Sequence, residues 1–217
     1  MRWVSAGRDV EAVVFDLDGT LYSFDAGEHI DYLAVAHRCL VEVAGLDDVR
    51  AALLLRRLDA GSVTELLESC GVRGPEWAAY RERHWSGPRR PSPAPEVAAA
   101  LVPLAAALPL ALATNSSDEQ TVELLDAIGV PADVFRVRVT SDLGLSPKPA
   151  PEVVLHVATV LRLHPASLFG VGDRWAVDVQ PLVDLGGGGV EVRGPQDLGV
   201  VCARLLASGG PRGRLPA

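Results

Sequence analysis

The chain is predicted to fold as an α/β protein: a parallel sheet with helices on both faces, interrupted after its first strand by an α-helical insertion. Three observations predict it. From residue 110 onward, short apolar runs alternate with helical patterns, as successive βαβ units do. Residues 28–85 carry helical periodicity and no strand signal. Two carboxylates, Asp16 and Asp18, follow the first apolar run, where an open α/β sheet places its ligand crevice.

The elements follow in chain order. Ala12-Val13-Val14-Phe15 is β-branched and aromatic, and a strand is expected at Val13–Asp16. Ile30, Leu33, Ala34, His37, Leu40, Val41 and Ala44 recur at helical spacing and Gly45 stops them. Helical runs follow at 48–58, 63–70 and 75–85. Ser86 to Pro95 holds four prolines in ten residues, a stiff extended connector. With an entry at Tyr22–Gly27, this exit delimits a helical unit at 23–91, and residues 1–22 and 92–217 form the sheet-bearing unit. Two connections of this kind suit a hinged lid. The longest apolar run, Val97–Ala113, is interrupted by Pro103 and Pro109 and falls short of the roughly 20 residues of a membrane span. It reads as a helix, a Pro-marked break and the strand Leu110–Thr114. Helix 118–128 starts from Ser116-Ser117-Asp118 and stops at Gly129. Strands are further expected at Val134–Thr140, Leu168–Asp173 and Gly189–Arg193, and helices at Pro151–Leu163 and Asp178–Leu185. Gly186–Gly189 reads as a loop and Ser208–Ala217 as a disordered tail.

Composition narrows the class. A chain of 217 residues with 48% hydrophobic content can bury one substantial core, or one core plus a small appended domain. A net charge of −8, with no basic stripe, disfavours nucleic acid and anionic membranes as partners. Cys39, Cys70 and Cys202 are odd in number and lack metal-site spacing, so they read as buried thiols of an intracellular protein. No apolar signal core opens the chain, and a cytoplasmic protein is expected. The glycosylation sequon Asn115-Ser116-Ser117 is discounted accordingly.

The chemistry lies at the strand ends. In Asp16-Leu17-Asp18-Gly19-Thr20, two carboxylates two positions apart repel unless a cation lies between them, and magnesium is the natural hard ion. An EF-hand calcium loop is excluded, because Leu21 stands where its glycine belongs and Gly27 where its glutamate belongs. Thr114 ends an apolar strand just before a helix, so its hydroxyl and the Asn115 N–H could hold a phosphoryl oxygen. Lys148, between Pro147 and Pro149, is the only lysine beside nineteen arginines, which suggests a role that guanidinium fills poorly. Asp173 ends another strand and can complete a magnesium site, while Asp178 can orient Lys148 or a metal-bound water. Gly170-Val171-Gly172 lacks the third glycine of a dinucleotide fingerprint, and no Gly-Lys-Ser/Thr follows Gly186–Gly189.

In this order, Asp16-Leu17-Asp18-Gly19-Thr20, Thr114-Asn115, Lys148 and Gly172-Asp173 with Asp178 resemble the four motifs of the haloacid dehalogenase-like hydrolases. The helical insertion is similar to the cap of the subfamily that places it between motifs one and two. The resemblance implies a Rossmann-like core under an α-helical cap. It also implies a magnesium-dependent phosphohydrolase acting on small phosphate monoesters through an aspartyl-phosphate. Asp16 would be the nucleophile and Asp18 the acid/base. Thr114, Asn115 and Lys148 would bind the phosphoryl group, and Asp16, the Asp18 backbone carbonyl and Asp173 would hold the metal. Alternatives are a phosphomutase of the same superfamily, similar to β-phosphoglucomutase, and a non-catalytic binding or regulatory protein. A dehalogenase is disfavoured by Asp18, since that branch lacks the second carboxylate. Substrate choice is expected in the cap and in the segment after Thr20, where Tyr22, Glu28, His29 and Arg38 are candidate contacts.

Overall fold

A computed structural model describes residues 1–23, 26–58, 62–85 and 91–208, without the side chains of 26–29 and 208. The elements run β1 (Arg2–Val4), β2 (Ala12–Phe15), α1 (Ala26–Glu42), α2 (Asp48–Arg56), α3 (Val63–Ser69), α4 (Gly74–His84), α5 (Pro95–Ala107), β3 (Leu110–Ala113), α6 (Asp118–Ile128), β4 (Val137–Val139), α7 (Pro151–Leu161), β5 (Leu168–Gly172), α8 (Gln180–Asp184), β6 (Gly188–Glu191) and α9 (Leu198–Ser208).

The sheet order is β1-β6-β5-β2-β3-β4, with every neighbouring pair parallel except β1 and β6. Strand alternation sorts the core into two layers. Val13 and Phe15 of β2, with Leu110 and Leu112 of β3, face α5, α6 and α9 through Leu101, Leu104, Leu125 and Val201. Ala12, Val14, Ala111 and Ala113 face α7 and α8 through Val153, Val157 and Leu182. All four β2 side chains are buried, as an inner parallel strand covered on both faces requires.

Between β2 and α5 stand α1–α4, with a hydrophobic core of their own. Ala36, Cys39 and Leu40 of α1 pack with Ala51, Leu67, Trp77 and Tyr80. Tyr32 sets its ring edge-on to Trp77, 5.9 Å between centroids. Helix starts and stops follow local chemistry. Ser117 caps α6 by accepting from the Gln120 N–H, and Gly129 ends it in the left-handed region.

Several elements differ from expectation. The antiparallel edge strand β1 was not foreseen; Gly189, the expected strand start, pairs with its Val4, while Gly188, expected in a loop, joins β6 by pairing with Phe169 of β5. Ala132–Val134 winds into a 3₁₀ turn, which shortens the expected strand from 134 to Val137–Val139. The helix expected at Asp178–Leu185 is instead a π-helical turn over Trp175–Val179 that runs into α8. Cys39 and Cys202 are buried, but Cys70 is half-buried because it caps the end of α3. Residues 86–90 of the Pro-rich connector and the tail after Ser208 lie outside the described residues, as do the side chains of Glu28 and His29. Among the described residues, no helix is long and apolar enough to cross a membrane.

Candidate active site

The adjacent strands β5, β2 and β3 end side by side and deliver Asp173, Asp16 and Thr114 to the carboxyl edge of the sheet. The Asp16 N–H continues the ladder to the Val171 carbonyl at 2.9 Å, which sets the carboxylate at the rim. The chain then turns back, with the Leu21 N–H on the Leu17 carbonyl at 2.9 Å. Gly19 makes this turn at φ +85° and abuts the Asp173 carboxylate, where a Cβ would collide with Oδ2. Gly172 serves the same purpose beneath Asp178, whose Cβ occupies the space a side chain at 172 would need.

Asp16 is only 4% exposed and is held from both sides. The Thr20 hydroxyl donates to Oδ2 at 2.8 Å and the Lys148 ammonium to Oδ1 at 2.5 Å. Lys148 is buried too, and it also donates to Asp178 Oδ1 at 2.7 Å. Asp178 Oδ2 accepts from the Arg174 N–H at 3.1 Å, so the π-helical turn aims Asp178 back beneath the rim. The Asn115 amide brackets Lys148 by accepting from its N–H at 3.0 Å and donating to its carbonyl at 3.3 Å. Loop 146–149 is thereby tied to the end of β3.

Three hydroxyls hold Asp18. Tyr22 donates to Oδ1 at 2.5 Å, and Thr114 and Ser116 donate to Oδ2 at 3.2 and 3.3 Å. One oxygen each of Asp16, Asp173 and Asp178 lies within 4.8 Å of the others. Asp173 Oδ1 is buried without a hydrogen-bond partner among the described residues, and its nearest cation, the Arg174 Nε, stays 3.9 Å away. A buried carboxylate oxygen without a donor, amid like charges, fits a divalent cation.

The electrostatics agree. Burial, then Asp178, pushes the Asp16 carboxyl up from 3.8 to about 7, against the opposing pull of Lys148. Burial and Asp178 likewise push Asp173 up to about 6. Burial works against the Lys148 ammonium, but Asp16 and Asp178 outweigh it and the net shift is upward. Lys148 is therefore a fixed cation at neutral pH.

Above this floor lies a cavity of about 690 Å³. Asp16, Asp18, Asn115, Lys148 and Asp173 line it from the sheet side, and Tyr32, Leu55, Ser62 and Arg81 from the helical unit. Thr114 and Asp178 stand behind the lining, against Asp18 and Lys148. All seven sequence-derived site residues thus meet in one place. The cap contacts fared differently. Arg38 is solvent-exposed and lies outside the cavity, because α1 turns that face outward. Tyr22 meets Asp18 rather than the cavity. Sequence reasoning missed Ser62, Ser116 and Arg81. In the sequence Ser116 reads only as part of a helix start and a discounted sequon, and neither Ser62 nor Arg81 stands out.

Three comparisons bear on this geometry. Residues 10–186 match the family described as haloacid dehalogenase-like hydrolase. Phosphoglycolate phosphatases of Neisseria meningitidis serogroup A and Neisseria gonorrhoeae are each 31% identical over 185 residues, spanning 78% of this chain and 74% of theirs. The fold is shared with a haloacid dehalogenase-like phosphatase of Thermococcus onnurineus (TM-score 0.57, 20% identity, 94% of this chain and 100% of that one). It is also shared with a 2-haloacid dehalogenase of Pseudomonas syringae pv. Tomato (TM-score 0.56, 22% identity, 91% and 98%).

Proposed function

The chain belongs to the haloacid dehalogenase-like hydrolase family and is a phosphatase, and from that premise we propose that it cleaves small organic phosphate monoesters with magnesium through an aspartyl-phosphate on Asp16. The observation that carries this reading is the placement of Asp16. It is a buried carboxylate at a strand end, oriented by Thr20 and Lys148 and open to the cavity.

Asp16 attacks phosphorus in line and forms the acyl phosphate as the alkoxide leaves. Asp18 protonates that alkoxide and then takes a proton from the water that attacks the aspartyl-phosphate. Lys148 and the Asn115 N–H receive equatorial phosphoryl oxygens, where transition-state charge is spread, and Thr114 joins them once its hydroxyl turns from Asp18. Asp16, Asp173 and the Asp18 carbonyl would hold magnesium, which supplies charge neutralisation and orientation of the phosphoryl group. α1–α4 act as the cap that shields the acyl phosphate from bulk water. Phosphoglycolate, the substrate named for the Neisseria relatives, is the first candidate. Three free thiols suit a cytoplasmic enzyme.

Asp18→Asn removes the acid/base but keeps the backbone carbonyl. We expect a rate loss of roughly 10²–10⁴ with an alkyl phosphate. The loss should be smaller with p-nitrophenyl phosphate, whose leaving group needs no proton. Equal losses for both substrates would remove Asp18 from that role.

Magnesium should also stabilise the fold in a pH-dependent way. A carboxyl whose folded pKa is raised leaves stability untouched below its unfolded value. It costs stability increasingly as pH rises towards the folded value. For Asp16 that window runs from 3.8 to about 7, and for Asp173 from 3.8 to about 6. A cation offsets this cost only where the carboxyls are ionised. Calorimetric melts should therefore show a larger magnesium-induced rise at about pH 8 than at about pH 5. A rise of equal size at both pH values would contradict the metal site.

A further inference from the structure

We propose that Arg81 selects the substrate by receiving a second anion, a carboxylate carried on the side of the molecule away from the phosphoryl group. This rests on the phosphatase reading and names the chemistry that the cap recognises.

Arg81 sits in the last turn of α4 and is 4% exposed. It lines the same cavity as Asp16 and Lys148, from the opposite, helical wall. Its Nη2 donates to Gln120 Oε1 at 2.8 Å, a neutral acceptor on α6 of the sheet-bearing unit. Its Nε is buried without a hydrogen-bond partner among the described residues. Among those residues, no carboxylate comes within ion-pair distance of Arg81, whereas buried Lys148 has two. A buried guanidinium with an unused donor and no counter-ion is costly unless a ligand supplies both.

The surroundings narrow the ligand. Leu33, Leu55, Leu58 and Val63 supply apolar walls and no competing anion. Asn115 donates from its amide to Ser62 Oγ at 3.2 Å, a second link between the helical unit and the strand ends. That link ties the cap wall to the floor independently of the Arg81–Gln120 bond. A planar guanidinium offers parallel donors that match a carboxylate. The arrangement fits a phosphorylated hydroxy acid, with the phosphoryl group on the floor and the carboxylate beneath α4.

The test is calorimetric binding of two inert ligands in magnesium buffer: phosphonopropionate, which carries a carboxylate, and propylphosphonate, which lacks one. The wild type should prefer phosphonopropionate by roughly 10–100-fold, the scale of a charge-assisted hydrogen-bonded pair. Arg81→Gln should abolish that preference and leave propylphosphonate affinity within about twofold, which also reports intact folding. Arg81→Lys should keep part of the preference, since it retains charge without the fork. Equal weakening of both ligands by Arg81→Gln would make Arg81 a cap strut and overturn the proposal. Equal affinity of the wild type for both ligands would overturn it as well. Phosphate release from p-nitrophenyl phosphate reads the phosphatase assignment separately. If that activity persists while no carboxylate preference is found, only the Arg81 proposal fails.

Discussion

Asp16→Asn is expected to abolish phosphate release while leaving the fold intact. An amide cannot form the acyl phosphate, and loss of a covalent nucleophile lowers turnover on the order of 10⁴–10⁶-fold. The two side chains are nearly isosteric, and the amide oxygen can still accept from Lys148. The Thr20 hydroxyl can reverse its bond and accept from the new NH₂ group. The substitution also removes one of three clustered carboxylates, so the metal-free variant should melt no lower than the wild type. Magnesium should raise its melting temperature less. Substantial turnover by a well-folded Asp16→Asn protein would defeat the mechanism.

Replacing Lys148 should have the second-largest effect, because in the proposed mechanism one buried ammonium serves both phosphoryl binding and the fold. It lies between Asp16 and Asp178 at 2.5 and 2.7 Å, with its side chain 7% exposed. Lys148→Ala leaves two buried carboxylates without their counter-ion. Breaking a buried pair in this way costs roughly 3–5 kcal/mol. That cost is present where the carboxylates are ionised and is relieved as pH falls and they protonate. Loss of a preorganised donor to the phosphoryl group should lower turnover by at least roughly 10²-fold. Lys148→Arg keeps the charge but brings a larger planar head into a filled space, so it should also be impaired. Thermal melts across pH, paired with phosphate release, check both effects. Wild-type kinetics for Lys148→Ala would remove Lys148 from the site.

Most of the cavity floor was legible in the sequence for one physical reason. Parallel strands that are buried on both faces read as apolar runs, and their last residues stand at the ligand edge. Asp16, Thr114 and Asp173 each follow such a run. Lys148 stood out by being the only lysine, and its burial between two carboxylates gives the physical cause. Strand β1 was not legible, because three residues at an antiparallel edge carry no periodicity. The π-helical turn was hidden as well. The expected helix begins only at Asp178, and only the packed structure shows Asp178 set against Gly172.

The cap wall was the least legible part. Helical periodicity located α1–α4 well but does not say which face meets the sheet. Arg38 was one candidate contact and faces solvent, whereas Arg81, one charged residue among several in α4, reaches Gln120. Ser62 escaped notice and Ser116 reads as part of a helix start, because serines at helix starts read as caps. In the structure, Ser62 has no capping bond to its own helix and meets Asn115, while Ser116 donates to Asp18.

The central claim is a covalent phosphoryl group on Asp16. Rapid mixing with substrate and magnesium, acid quenching and mass spectrometry of the peptide bearing Asp16 test it most directly. The account predicts one added phosphoryl group on Asp16 during turnover. That adduct should persist longer in Asp18→Asn, which lacks the base for its hydrolysis, and be absent from Asp16→Asn. Phosphate release with no adduct at any quench time, together with activity in Asp16→Asn, would show direct attack by water and contradict the account.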